Sequence, residues 1–147
     1  MKRHSAIVLV GLIVASGALW ASPATAGGAC TQRGTDRAND IGGTHGADIL
    51  CGRGGGDRLA GLAGDDRLRG QRGSDLLLGG GGADALKGGG GDDTLIGGPG
   101  LDRLSAGLGA DIIDATGGDQ DIVRGGGGRD ICFVDPEDTV RGCEDTV

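Results

Sequence analysis

The sequence predicts an all-β solenoid, a coil of short parallel strands stacked rung on rung. Three observations predict it: an unbroken nine-residue period, glycine at fixed places within it, and an apolar residue at a fixed distance after an aspartate. Residues 79–105 show the pattern most plainly, reading GGGGADALK, GGGGDDTLI, GGPGLDRLS, three units of Gly-Gly-x-Gly-x-Asp-x-Leu-x in register. The aspartate recurs at Asp48, Asp57, Asp66, Asp75, Asp84, Asp93, Asp102 and Asp111, with Asn39 one step upstream. Asp121 and Asp130 follow after a single inserted residue. Two residues later stand Ile41, Leu50, Leu59, Leu68, Leu77, Leu86, Leu95, Leu104, Ile113, Val123 and Cys132. Two residues before the aspartates stands glycine, from Gly46 to Gly128, with Asp119 the one exception. A period this regular outweighs the propensity of any single segment.

The N-terminus follows different rules. It begins Met1-Lys2-Arg3-His4, runs apolar through residues 6–20 and reaches Ala24-Thr25-Ala26. A basic start, a short apolar run and a small-x-small site are the anatomy of a secretory signal peptide. Residues 1–26 are therefore expected to be cleaved, and residues 27–147 to form one secreted, extracellular domain, free or associated with the cell surface. A retained anchor would need about 20 apolar residues, more than the run offers, so no membrane span is expected in the mature chain. Acylation at Cys30 is the other alternative, although Gly27-Gly28-Ala29 lacks the large aliphatic such signals carry.

Within the mature domain, residues 27–38 read as an N-terminal cap, 39–132 as the repeats and 133–147 as a C-terminal cap. The whole chain has a formal charge of −7; losing Lys2 and Arg3 leaves 12 basic against 21 acidic residues, a charge of −9. That balance argues against a nucleic-acid partner. Glycine numbers 36, and with no Tyr and one Phe the composition alone would read as disordered. Collagen is excluded because glycine follows a period of nine, not three. Four cysteines in an exported chain point to disulfides. Of the three possible pairings, Cys30–Cys51 with Cys132–Cys143 would staple each end of the array, where terminal units have only one neighbour. Zinc is the rival, but there is no Cys-x-x-Cys and His45 stands alone after residue 26.

Each unit offers about three strand residues in Asp-x-Leu-x, one inward between two outward. The preceding Gly-Gly-x-Gly-x is a turn. Two units per rung would give an 18-residue coil, and the outward residues support this. They are Arg67/Arg69, Ala85/Lys87, Arg103/Ser105 and Ile122/Arg124 in one set of alternate units. In the other they are Leu76/Leu78, Thr94/Ile96, Ile112/Asp114 and Ile131/Phe133. One face is thus basic, the other apolar.

The aspartates then fall into two columns, Asp48, Asp66, Asp84, Asp102, Asp121 and Asp57, Asp75, Asp93, Asp111, Asp130. Carboxylates one rung apart repel by about 3–4 kcal/mol per pair at intermediate dielectric. A hard divalent cation answers this best: carboxylates and turn carbonyls supply the six to eight oxygens that calcium takes. Magnesium demands tighter geometry, and transition metals lack nitrogen and sulfur ligands here. The inward aliphatics are few for so long an array. The chain is expected to be largely disordered without calcium and folded with it.

The units GGGGADALK, GGGGDDTLI and GGPGLDRLS resemble the nonapeptide of the RTX, or haemolysin-type calcium-binding, repeat proteins. The resemblance covers residues 39–132. It implies a right-handed parallel β-roll holding several Ca²⁺ ions between turns, through the repeat aspartates and loop carbonyls such as those of Gly79, Gly81, Gly88, Gly90, Gly97 and Pro99. The loops ending at Asp84, Asp93, Asp102 and Asp130 match best. Asp48, Asp57, Asp66 and Asp75 have Thr44, Arg53, Leu62 and Gln71 where the second glycine belongs, Ala106 replaces the first glycine before Asp111, and the loop before Asp121 has lost the spacing. The resemblance also sets a contrast: family toxins and proteases often leave by an uncleaved C-terminal signal and carry a catalytic or pore-forming domain, whereas this chain is expected to have a cleavable N-terminal signal and no such domain.

Other function classes fare worse. A nucleophile needs a base, and His45 sits within a turn. Asp65-Asp66 and Asp92-Asp93 are adjacent strand residues facing opposite ways, so no enzyme is expected. An ice-binding or carbohydrate-binding solenoid would show ladders of Thr or aromatics, which are missing. The apolar face (Leu76, Leu78, Ile96, Ile112, Ile131, Phe133) is a candidate for self-association. The basic face (Arg67, Arg69, Lys87, Arg103, Arg124) is a candidate contact for an anionic cell-envelope polymer. The plain alternative is a solvated sheet with Arg stems lying over apolar rungs.

Overall fold

Every unit alternates a run that favours extended backbone with a glycine-rich run that favours a turn, so the chain reverses every nine residues. The computed structural model describes residues 29–117 and 119–147, and the signal peptide expected over residues 1–26 lies outside them. The expected all-β parallel solenoid is what forms, with no helix among the described residues.

Fourteen strands lie in two seven-stranded parallel sheets. The first sheet holds β1 (Gln32–Arg33), β3 (Ile49–Gly54), β5 (Arg67–Arg72), β7 (Ala85–Gly90), β9 (Arg103–Leu108), β11 (Ile122–Gly127) and β13 (Thr139–Arg141). The second holds β2 (Asp40–Gly42), β4 (Arg58–Ala63), β6 (Leu76–Gly81), β8 (Thr94–Ile96), β10 (Ile112–Asp114), β12 (Ile131–Phe133) and β14 (Asp145–Thr146). Strands pair with the next but one in the chain, so Leu68 lies beside Leu86 and Leu86 beside Leu104. The inserted residue is absorbed between β10 and β11: Val123 still partners Leu104.

The core is a double file of inward side chains. Leu50, Leu68, Leu86, Leu104 and Val123 from the first sheet meet Ile41, Leu59, Leu77, Leu95, Ile113 and Cys132 from the second, all buried. Each buried aliphatic contributes about 1.5–3 kcal/mol, and parallel stacking places like beside like. Disulfides join Cys30 to Cys51 and Cys132 to Cys143, the local pairing, one near each end. The ends are built differently, since Cys132 takes a core position whereas Cys51 lies on the outward side of β3 under the N-terminal segment.

The outward residues differ sharply between sheets. All seven strands of the first sheet carry an exposed Arg or Lys and none carries Asp or Glu. The second sheet carries Asp40, Asp114 and Asp145, one basic residue (Arg58, paired with Asp40 at 3.1 Å), and the exposed apolar residues Leu62, Ile96, Ile112 and Phe133.

Candidate metal centre

The ten repeat aspartates are buried, although carboxylates are rarely so. Their position explains how. Each follows a glycine-rich turn and begins a strand, so its backbone N–H faces the neighbouring turn. There the next aspartate of its column accepts it. The N–H of Asp66 donates to Asp84 Oδ1, that of Asp84 to Asp102 Oδ1, and that of Asp75 to Asp93 Oδ1. The same bond runs from Asn39 to Asp57 and through Asp48, Asp57, Asp93, Asp102 and Asp111, always at 2.7–3.1 Å. One oxygen of every repeat carboxylate from Asp57 onward is thereby fixed by the fold; that of Asp48 accepts from the Thr31 hydroxyl instead.

The ladder is directional, so its last N–H groups need acceptors from outside the repeats. The C-terminal cap supplies them. Asp138 Oδ1 accepts from the Asp121 N–H at 2.9 Å, and Glu144 Oε2 from the Asp130 N–H at 2.7 Å. The nine-residue period does not reach these two residues. The signal that could have found them is the accounting rule that buried N–H groups are paired.

The second carboxylate oxygen is a different matter. Oδ2 of Asp57, Asp66, Asp75, Asp84, Asp93, Asp102, Asp111, Asp121 and Asp130 is buried with no hydrogen-bond partner. Burial pushes the carboxyls up, to about 7 for Asp93 and about 6 for Asp66, Asp75 and Asp102; neighbouring aspartates add to the rise and the ladder bond opposes it. Asp57, Asp84, Asp111 and Asp121 are raised for the same first reason.

The orphaned oxygen points over the first glycine of its own unit. A Cβ added to Gly79 would lie 2.5 Å from Asp84 Oδ2 and 2.6 Å from the Gly97 carbonyl oxygen. At Gly88 it would strike Asp93 Oδ2 and lie 2.7 Å from the Ala106 carbonyl. Glycine leaves room at these positions for a carboxylate of one turn and a carbonyl of the next to converge. Ala106 fills the equivalent place before Asp111 and is itself fully buried. The carbonyls of Gly81, Gly90, Gly97 and Pro99 each accept one N–H from the preceding turn, those of Gly64, Gly73, Gly80 and Gly82. A carbonyl has two lone pairs, so each keeps one. Among the described residues no three His, Cys, Asp or Glu side chains gather in one place.

The irregular loops resolve into two kinds. Arg53, Leu62 and Gln71 adopt φ of +94°, +83° and +86°, the conformation that Gly80 and Gly98 adopt at +109° and +100°. Their aspartates, Asp57, Asp66 and Asp75, keep the unpaired Oδ2. Thr44 does something else. Its N–H and Oγ1 both donate to Asp48 Oδ2, at 2.6 and 2.9 Å, and the Thr31 hydroxyl donates to Oδ1 at 3.3 Å, so Asp48 has partners on both oxygens. Asp121 stands in register despite its altered loop, accepting from Asp102 at 2.8 Å. His45 is exposed on its turn.

The profile of the RTX calcium-binding nonapeptide repeat (four copies) of haemolysin-type proteins matches residues 52–86, 87–119 and 115–135, more than half of the chain. The chain belongs to this family. No curated protein and no solved structure matches it. RTX membership makes it a calcium-binding repeat protein on a structural β-solenoid, and the buried carboxylates of both columns are the repeat's own aspartates.

Proposed function

We propose that this RTX chain is an exported, non-enzymatic calcium-binding β-roll, right-handed as the resemblance implies, whose folding is coupled to Ca²⁺. The observation that carries the reading is the set of nine buried carboxylate oxygens with no partner. A buried unpaired charge is among the costliest things a fold can hold. The donor set is all hard oxygen, which suits calcium over softer metals.

The residues that would hold the ions are Asp57, Asp66, Asp75, Asp84, Asp93, Asp102, Asp111, Asp121 and Asp130, with the free lone pairs of turn carbonyls including Gly79, Gly81, Gly88, Gly90, Gly97 and Pro99. Since side-chain ligands do not cluster in threes, most oxygens at any one ion would come from backbone. Asp48 is the weakest ligand of the set, because Thr44 already serves its second oxygen. Bound Ca²⁺ supplies the positive charge that lets stacked carboxylates stay ionised. The chain's own part is to hold one oxygen of each carboxylate by the N–H ladder and to aim the other inward.

Export is supported by the signal-like residues 1–26 and by two disulfides, which persist in oxidising compartments. A second reading, self-association through the second sheet, is favoured by Leu62 at 52% and Ile112 at 44% exposure on one face.

The test is circular dichroism of the oxidised chain during a calcium titration, before and after chelation. The expected result is a weak strand signal in EDTA and a cooperative gain in millimolar calcium. An equal strand signal in both would end the coupling proposal.

A further inference from the structure

The structure assigns a second ligand surface to this molecule: we propose that the outward face of the first sheet binds a linear acidic polysaccharide, its carboxylates seated on a file of arginines and a lysine along the solenoid axis. The chain is acidic overall, at −7, yet this sheet carries only positive charge. Each of its strands contributes at least one exposed Arg or Lys, from Arg33 on β1 through Lys87 on β7 to Arg141 on β13. Among the described residues the only ion pairs are Arg58–Asp40 and Arg129–Asp145, neither on this sheet. Charges left unpaired in so acidic a chain are free for an outside partner.

The face is also recessed. A hollow of about 670 Å³ lies between Asp36, Arg53, Gln71 and Arg72. A second, of about 530 Å³, shares Gln71 and extends to Arg69 and Lys87. A smaller one lies farther along, between Arg103 and Arg124. The one acid at their rim is Asp36, at the N-terminal end. Arg53 and Gln71 reach this groove from left-handed backbone, a conformation costing about 1–2 kcal/mol for a residue with a Cβ. Glycine occupies that position at Gly89, Gly107 and Gly126 in the same sheet.

The pitch and chemistry select the ligand. Strands repeat every ~4.8 Å, close to the advance of one pyranose in an extended chain and shorter than a polyol phosphate or nucleotide step. Arginine pairs carboxylate groups through two parallel hydrogen bonds. Single-stranded nucleic acid would need aromatic platforms for its bases, and the one Phe, Phe133, lies on the opposite sheet.

The experiment uses the oxidised chain at one fixed calcium concentration, with circular dichroism confirming the fold of every variant. Fluorescence anisotropy would measure binding of a labelled short oligogalacturonate, its neutral methyl ester, and a single-stranded oligonucleotide. The expected result is binding of the acid alone, weakening as salt rises. Arg69→Ser with Lys87→Ser and Arg124→Ser should weaken it at least tenfold, while Arg58→Ser on the other sheet leaves it unchanged. Equal binding of the ester, tighter binding of the oligonucleotide, no binding, or an unaffected triple variant would each overturn the proposal. Because the strand signal is read separately, failure here leaves the calcium reading standing, and loss of that signal in EDTA leaves this one standing.

Discussion

The first turn of the array and its middle turns solve one problem in opposite ways. Both bury an aspartate. In the middle turns one of its oxygens accepts from the N–H ladder, whereas at the first turn Asp48 Oδ1 accepts from the Thr31 hydroxyl at 3.3 Å. In the first turn Thr44 gives the other oxygen of Asp48 two donors, and Asn39, at the head of the second column, is neutral and takes the Thr35 N–H at 2.6 Å. In the middle, Asp84, Asp93 and Asp102 receive nothing on that oxygen: the residue in Thr44's place has no hydroxyl, and before Asp84 its N–H, that of Gly80, goes to the Gly97 carbonyl instead. The difference teaches where the proposed calcium would matter most. Protein donors reach both oxygens at the end, beside the Cys30–Cys51 disulfide; in the middle one oxygen of each carboxylate has none.

The largest effect should come from making the middle resemble the head of the second column. Asp84→Asn, Asp93→Asn and Asp102→Asn together keep an oxygen for the ladder and remove three buried charges. Leaving a buried charged group unsatisfied costs about 1–3 kcal/mol or more, so the triple variant should be more ordered than the parent in EDTA and gain less from calcium. Thermal melts by circular dichroism in both conditions would show it. A variant less stable in EDTA than the parent would mean that the unpaired oxygens do not burden the metal-free fold.

Acid should do the same thing reversibly. The carboxyls of Asp66, Asp75, Asp93 and Asp102 are raised from 3.8 to about 6–7. The metal-free fold therefore binds more protons than the unfolded chain. Its stability is fullest below about pH 4 and is lost as pH rises through 6–7. The chelated chain is expected to show more strand signal at pH 4 than at pH 7.5, and the calcium midpoint to climb as pH falls from 7.5 to 5.5, since protons compete for the same oxygens. A midpoint that stays flat across that range would separate calcium binding from these carboxylates.

Much of this was legible in the residues, for a physical reason. A solenoid repeats its environment, so the sequence must repeat with it. The inward file from Ile41 to Cys132, the two aspartate columns and the opposed basic and apolar faces all follow from the period. What the period could not carry lies at its breaks. Asp138 and Glu144 close the ladders from irregular positions, at spacings of 17 and 14 from their donors. Arg33 and Arg141 extend the basic file into the caps, and Arg53 and Arg72 add to it from turn positions usually held by glycine. Arg53, Leu62 and Gln71 look unfit for a left-handed turn, yet they keep the ladder register there, Arg53 beside Gln71, Gln71 beside Gly89 and Leu62 beside Gly80. Thr44 looks like a flaw in the pattern and is instead a donor that only geometry reveals.

The smallest effect tests that donor directly. Thr44→Val keeps the size and β-branching of the side chain and the backbone N–H to Asp48 Oδ2, and removes the hydroxyl that also donates there at 2.9 Å. The same hydroxyl accepts from the Gly46 N–H at 3.2 Å, so two bonds go at once. A hydrogen bond to a charged group is worth about 1.5–3 kcal/mol and a neutral one about 0.5–1.5. Thr44 is exposed, so water replaces part of this, and a net loss of about 1–2 kcal/mol is expected at the N-terminal end. Hydrogen exchange should report it, with protection falling at Asp48 and Ile49 in calcium while Asp93 and Asp102 keep theirs. If protection at Asp48 is unchanged, the hydroxyl is not what steadies the first carboxylate. If instead it falls equally along the whole array, the first turn is not an independent end but one link of a single cooperative unit.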